Sequence, residues 1–167
     1  GPGDRLHPQV PGAVTNHMGT REITYLVVDD EPDAGWALEH ILRPCAIRLE
    51  RALTAMEALE LMRRCSFSLA FLDVKLPDLD GLELARRIRV IDPLLPIILI
   101  SGYYYKDDAA IQQAQAEGLI RDFIGKPFLH AELMRAVVRA LAPRRIRKSH
   151  GGANPRLCGA GAREPIP

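Results

Sequence analysis

The sequence predicts an α/β protein built on a doubly wound, five-stranded parallel sheet. Three observations carry that prediction. Apolar runs of strand length alternate with amphipathic runs of helical length, five times over between Arg21 and Leu141. The strands are nearly continuous in apolar residues, as in Leu69-Ala70-Phe71-Leu72 and Ile97-Ile98-Leu99-Ile100, which is how strands covered on both faces read. Polar residues collect at the carboxyl ends of these runs, where open sheets of this kind keep their sites.

Ile23 to Val28 is the first strand and ends in Asp29-Asp30-Glu31-Pro32. Pro32 suits the first turn of a helix, and Ala34, Ala37, Leu38 and Ile41 fall on one face of it. Pro44 ends that helix. Ile47 to Leu53 alternates apolar residues with Arg48, Glu50 and Arg51, which predicts a less buried second strand at a sheet edge. Thr54 and Glu57 form a capping box for a helix from Ala55 to Arg64, with Ala55, Ala58, Leu59 and Met62 inward. The third strand runs from Ser68 to Asp73. A helix from Gly81 to Ile91 follows, with Leu82, Leu84 or Ala85, and Ile88 inward, and Asp92-Pro93 stops it.

Pro96 to Gly102 is the fourth strand. Asp107-Asp108 caps a weak fourth helix, Ala109 to Glu117, in which Ile111 is the one large apolar residue; Gly118 ends it. Leu119 to Ile124 is the fifth strand and leads into Gly125-Lys126-Pro127-Phe128. The last helix, His130 to Leu141, turns Leu133, Met134, Val137, Val138 and Leu141 inward.

With 167 residues the chain has room for one domain with a substantial core. Residues 1–20 read as a flexible leader, opening on what looks like a cleavage scar, Gly1-Pro2-Gly3. Residues 21–141 form the domain. Residues 142–167 are a basic tail rich in Pro, Gly and Arg, expected to be disordered and solvated. The net charge of +1 hides this division: the domain holds 15 Lys+Arg against 19 Asp+Glu, and the tail 6 against 1. No apolar run approaches a membrane span. Cys45, Cys65 and Cys158 form no CxxC pair, so neither a zinc cage nor a disulfide framework is signalled. Cys45 and Cys65 read as small apolar fillers, and a reducing cytoplasm fits best. The five scattered histidines suggest no metal role.

The strand ends carry the chemistry. Strand one offers Asp29 and Asp30, strand three Asp73, strand four Ser101, and strand five is followed by Lys126. Three converging carboxylates repel one another when bare, and a hard divalent cation removes the conflict. Mg²⁺ prefers few carboxylates, several waters and a phosphate oxygen. Nucleophile, metal, lysine and hydroxyl together are the kit for phosphoryl transfer to a carboxylate.

At this point the chain resembles the receiver domain of two-component response regulators, whose best-known single-domain member acts in chemotaxis. The resemblance covers Arg21 to Leu141. It rests on Leu26-Val27-Val28-Asp29-Asp30-Glu31, on Leu72 to Gly81, on Ile100-Ser101-Gly102, and on Lys126-Pro127-Phe128, all in order. It implies a flavodoxin-like (βα)5 fold with strand order 2-1-3-4-5. Asp73 would accept a phosphoryl group from a sensor histidine kinase or a histidine phosphotransfer protein. Asp29, Asp30, Asp73 and the backbone carbonyl of Lys75 would hold Mg²⁺. Lys126 would bond the phosphoryl group across a cis Lys126-Pro127 peptide, and Ser101 and Phe123 would be the switch pair. Phe123 lacks a tyrosine hydroxyl, so its movement would be driven by packing alone. The Lys75 side chain sits where family members tune dephosphorylation.

The resemblance further implies a phosphoacceptor signalling protein in the cytoplasm rather than a turnover enzyme. The chain would act through a downstream protein target, with a homodimer through helix four, strand five and helix five as another outlet. No DNA-binding domain is legible in this chain. Two other readings compete. An aspartate-nucleophile phosphohydrolase of the haloacid dehalogenase type would need a second carboxylate where Lys75 stands. A degenerate receiver used only for binding would not need the acidic pair, Ser101 and Lys126 together. Trp36 falls off the first helix's apolar stripe and is expected to be exposed, and Tyr103-Tyr104-Tyr105 is bulky for a loop beside Ser101.

Overall fold

A computed structural model describes residues 23–45, 47–103 and 108–143. The predicted leader, all but the first residues of the tail, Tyr104, Tyr105 and Asp107 lie outside the described residues. Strands β1 (Thr24–Val28), β2 (Arg48–Ala52), β3 (Leu69–Asp73), β4 (Ile97–Ser101) and β5 (Asp122–Gly125) alternate with helices. These are α1 (Pro32–Leu42), α2 (Ala55–Arg64), α3 (Gly81–Ile91), α4 (Ala109–Ala116) and α5 (His130–Leu141). Every neighbouring strand pair is parallel, and the order is β2-β1-β3-β4-β5. The five βα units and the flavodoxin-like strand order are those expected. Among the described residues no helix is long and apolar enough to cross a membrane.

Side chains alternate across each strand, so the sheet feeds two cores. Leu26, Val28, Leu72, Leu99 and Phe123 pack with Ala58 of α2, Ile88 of α3 and Ile111 of α4. Tyr25, Val27, Phe71, Ile98 and Ile100 pack with Leu38 of α1 and with Leu133 and Val137 of α5. β3 and β4 are buried along their whole length, whereas β2 lies at an edge and is the more open strand.

Local signals set most boundaries. Thr54 Oγ1 accepts the Glu57 amide at 3.1 Å, and the Glu57 carboxylate accepts the Leu53 amide at 2.7 Å. Asp80 and Asp108 cap α3 and α4 through the Leu82 and Ala110 amides. Gly118, at φ 73°, takes the left-handed turn that ends α4.

Four expectations change. On α1 the buried residues are Gly35, Leu38 and Leu42, one step round from the predicted stripe, leaving Ala34, Ala37 and Ile41 half-buried. Gly35 shares the face of Leu38 and Leu42 and is covered by the Arg51 guanidinium, which lies where a Cβ would stand. On α5 the sheet-facing stripe is Leu133, Ala136, Val137 and Ala140; Val138 and Leu141 are exposed and Met134 is half-buried. Two alanines let this helix sit close to the sheet, and their small size hid them beside larger neighbours. β5 begins at Asp122 rather than Leu119. Leu119 and Ile120 are buried ahead of it, and Arg121 is tied to the end of α5 through the Ala140 and Ala142 carbonyls. Cys45 and Cys65 are exposed rather than core fillers, because each sits where the chain leaves a helix end.

Candidate functional site

Val28 pairs with Leu72, so Asp29 and Asp73 leave β1 and β3 side by side. Asp29 is buried, Asp73 is buried at the last position of β3, and Asp30 is exposed. One oxygen from each of Asp29, Asp30 and Asp73 lies within 4.8 Å of the others. α3 starts so close behind Asp73 that a Cβ on Gly81 would sit 2.2 Å from the Asp73 carbonyl oxygen. Only glycine permits that approach, and the Gly81 amide then donates to the Val74 carbonyl at 2.7 Å, fixing the loop.

Lys126 follows β5, and its bond to Pro127 is cis. Its Nζ lies 2.8 Å from Asp29 Oδ2, 3.3 Å from Glu31 Oε2 and 3.6 Å from Asp73 Oδ1. Burial alone would push this ammonium down, but Asp29 above all, then Asp73 and Glu31, hold it above its ordinary value. Asp73 is left with a minor share of the cation. Burial is the largest influence on it and, against the pull of Lys126 and with the added repulsion of Asp29, its carboxyl is pushed up to about 6.

Ser101 ends β4 and is fully buried; its Oγ accepts the Tyr103 amide at 3.0 Å. Lys75 is exposed, pairs with Asp80 in a one-residue antiparallel bridge, and holds its ammonium 4.5 Å over the Tyr103 ring. Asp30, Asp73, Lys75, Pro77 and Tyr103 line an open pocket of about 270 Å³. Phe123 is buried on β5 opposite Leu99, in the core shared with α4.

The structure thus brings Asp29, Asp30, Asp73 and Lys126 into one cluster. It sets Ser101 and Lys75 at the cluster's edge and puts Phe123 in the core behind it. Sequence reasoning missed Glu31, a further carboxylate on Lys126, although it directly follows the acidic pair. It also missed Asp78, whose two oxygens accept the Ala55 and Met56 amides and so cap α2 from the β3–α3 loop. These bonds hold the Asp78 carboxyl below its usual range. The donor set suits a hard divalent cation: three carboxylates, one of them open to water, with too little positive charge of their own.

Comparison with known proteins matches the same segment. The family model of the response regulator receiver domain covers residues 25–138. The chain is 35 % identical over 134 residues to the response regulator protein PilR of Pseudomonas aeruginosa, covering 80 % of this chain but only 29 % of that protein. Two solved structures are similar. One is the signal receiver domain of an HD domain-containing protein from Pseudomonas fluorescens, 32 % identical with a TM-score of 0.65, covering 73 % of this chain and 88 % of that one. The other is a receiver domain protein from Methanospirillum hungatei, 27 % identical with a TM-score of 0.65, covering 72 % and 94 %. With more than half its length matched by that model, the chain belongs to the response regulator receiver domain family.

Proposed function

We propose that this chain is a phosphorelay receiver that takes a phosphoryl group onto Asp73 from the phosphohistidine of a sensor histidine kinase or a histidine phosphotransfer protein. The observation that carries this reading is the unequal sharing of one cation. Asp73 is buried, 3.6 Å from a lysine that Asp29 holds at 2.8 Å, so a nucleophilic carboxylate stands short of positive charge beside two further carboxylates. Asp29, Asp30, Asp73 and the Lys75 carbonyl would hold Mg²⁺. Bound there, the ion supplies charge to offset these carboxylates and the incoming phosphoryl oxygens.

An Asp73 oxygen attacks phosphorus, the phosphorus–nitrogen bond breaks with its electron pair staying on the imidazole, and an aspartyl phosphate forms. Lys126 is within reach to bond the new phosphoryl oxygens. Ser101 exchanges the Tyr103 amide for a hydrogen bond donated to the phosphoryl group, which loosens the loop after β4. Phe123 shares its core with Ile111, and α4 buries only Ile111 and Ala114, so α4 is the element most easily displaced. The face formed by α4, β5 and α5 then passes the signal to a downstream protein or a second copy of the chain.

Acetyl phosphate with Mg²⁺ tests the proposal by intact-mass measurement. A gain of one phosphoryl group is expected on the wild-type chain and none on Asp73→Asn. No gain on the wild type, or an equal gain on the variant, overturns it.

A further inference from the structure

Helices α2 and α3 border an open groove of about 370 Å³ that the chemistry at Asp73 leaves unused. Its lining is mostly apolar: Met56 and Leu59 from α2, Val90 and Ile91 from α3. Met56 is 61 % exposed and Val90 85 %, although both helices already bury a separate stripe against the sheet. Large apolar side chains left open together on one face mark a binding surface. Met56, Leu59 and Arg63 recur at helical spacing along one wall, and Arg87, Val90 and Ile91 along the other. A groove running along two helices has the shape that receives a third.

The rim selects among occupants. Arg63 and Arg64 both lean on Glu60, and Arg86 and Arg87 both lean on Glu83. Four guanidiniums share two carboxylates, with Asp78 as a further carboxylate near Arg87, and the groove lining itself carries Arg63 and Arg87 against Glu60, so the rim keeps a net positive charge. A second copy docking the same face would set these arginines against their own counterparts. Among the described residues, the other exposed large apolar side chains on helices are Val138 and Leu141, which share α5 with Arg135 and Arg139, and Trp36 on α1, a single aromatic stacked on His40 rather than an apolar stripe.

We propose that the α2–α3 groove docks an amphipathic helix of another protein, with its apolar stripe on Met56 and Val90 and its flanking carboxylates on Arg63 and Arg87. The inference does not depend on phosphoryl chemistry at Asp73.

Two labelled helical peptides of about 18 residues test it, with the same leucine stripe but flanked by glutamates in one and by lysines in the other. Fluorescence anisotropy with the full chain should show the glutamate peptide binding at least about tenfold tighter than the lysine peptide. Amide shift changes should fall on α2 and α3. Val90→Glu should weaken the glutamate peptide by about tenfold or more, and Arg63→Glu with Arg87→Glu should reverse the preference between peptides. All three positions are exposed, so these variants keep the fold, which thermal melting checks. Equal affinity for the two peptides, no binding of the glutamate peptide, or shift changes confined to other helices overturns the proposal. So does a dimer in sedimentation that Val90→Glu dissolves, which would assign the groove to a second copy.

Discussion

Asp73 and Asp122 are strand residues of one sheet, and both are buried, at 6 % and 3 % exposure. Their electrostatic surroundings differ. Asp122 has an arginine to itself: Arg139 reaches Oδ2 at 2.6 Å through both Nε and Nη2, and the Phe123 amide donates to Oδ1 at 2.9 Å. Asp73 shares Lys126 with Asp29 and Glu31, at the longest of the three distances, and its carboxyl is pushed up to about 6. An aspartate whose charge is fully met holds structure together. One left short of positive charge is where a cation or an electrophile gains most. Under the function proposed above, the difference separates a structural carboxylate from a reactive one within the same fold.

The contrast breaks most decisively on phosphoryl acceptance. Asp73→Asn should lose it entirely while Asp122→Asn keeps it, read by intact mass after acetyl phosphate and Mg²⁺. If folded Asp122→Asn is equally inert, the two aspartates are not different in kind. Next in size is stability. Asp122→Ala removes the partner of Arg139 and the acceptor of the Phe123 amide. It should cost about 2–4 kcal/mol in urea unfolding, the lower end being favoured because Arg139 is half-exposed and can rehydrate.

Asp73→Asn should move stability the other way. A carboxyl raised from 3.8 to about 6 on folding favours the fold when protonated. That contribution is fully present below about pH 4 and lost as pH rises through about 6. At pH 7.5 the wild type therefore carries a charge the fold disfavours. The Asn variant should be more stable by on the order of 1–2 kcal/mol, with the two melting temperatures converging below pH 4. An Asn variant less stable at pH 7.5 would show that Lys126 already satisfies Asp73. The smallest effect is kinetic. Lys75→Ala frees Tyr103 from the ammonium above it and should change the aspartyl-phosphate lifetime by a few-fold, without loss of acceptance. An unchanged lifetime would confine Lys75 to its backbone.

Much of this molecule was legible before any coordinates. Thr54, Asp108 and Gly118 act within a turn or two of their own position, and the boundaries they mark stand. The apolar β3 and β4 could only be central strands, and they are. The row Asp29, Asp30, Asp73, Ser101 and Lys126 followed from strand ends sharing one edge of a parallel sheet. What failed depended on how closely elements approach. Ala136 and Ala140 outrank Val138 on α5 because a small side chain lets the backbone come nearer, which a hydrophobicity pattern cannot weigh. Gly35 is buried on α1 with Arg51 arriving from β2 to cover it.

The sequence by itself determined the five βα units, the Thr54 and Asp108 caps, and which residues stand at the strand ends, because periodicity and capping of this kind are local physics. Only the tertiary structure decided which carboxylate each cation serves. Arg139 closes on Asp122 from 17 residues away, Asp78 caps α2 across 23, and Lys126 meets Glu31 across 95. Those pairings are set by which strands and helices become neighbours, and they make Asp122 a closed ion pair while leaving Asp73 short of charge.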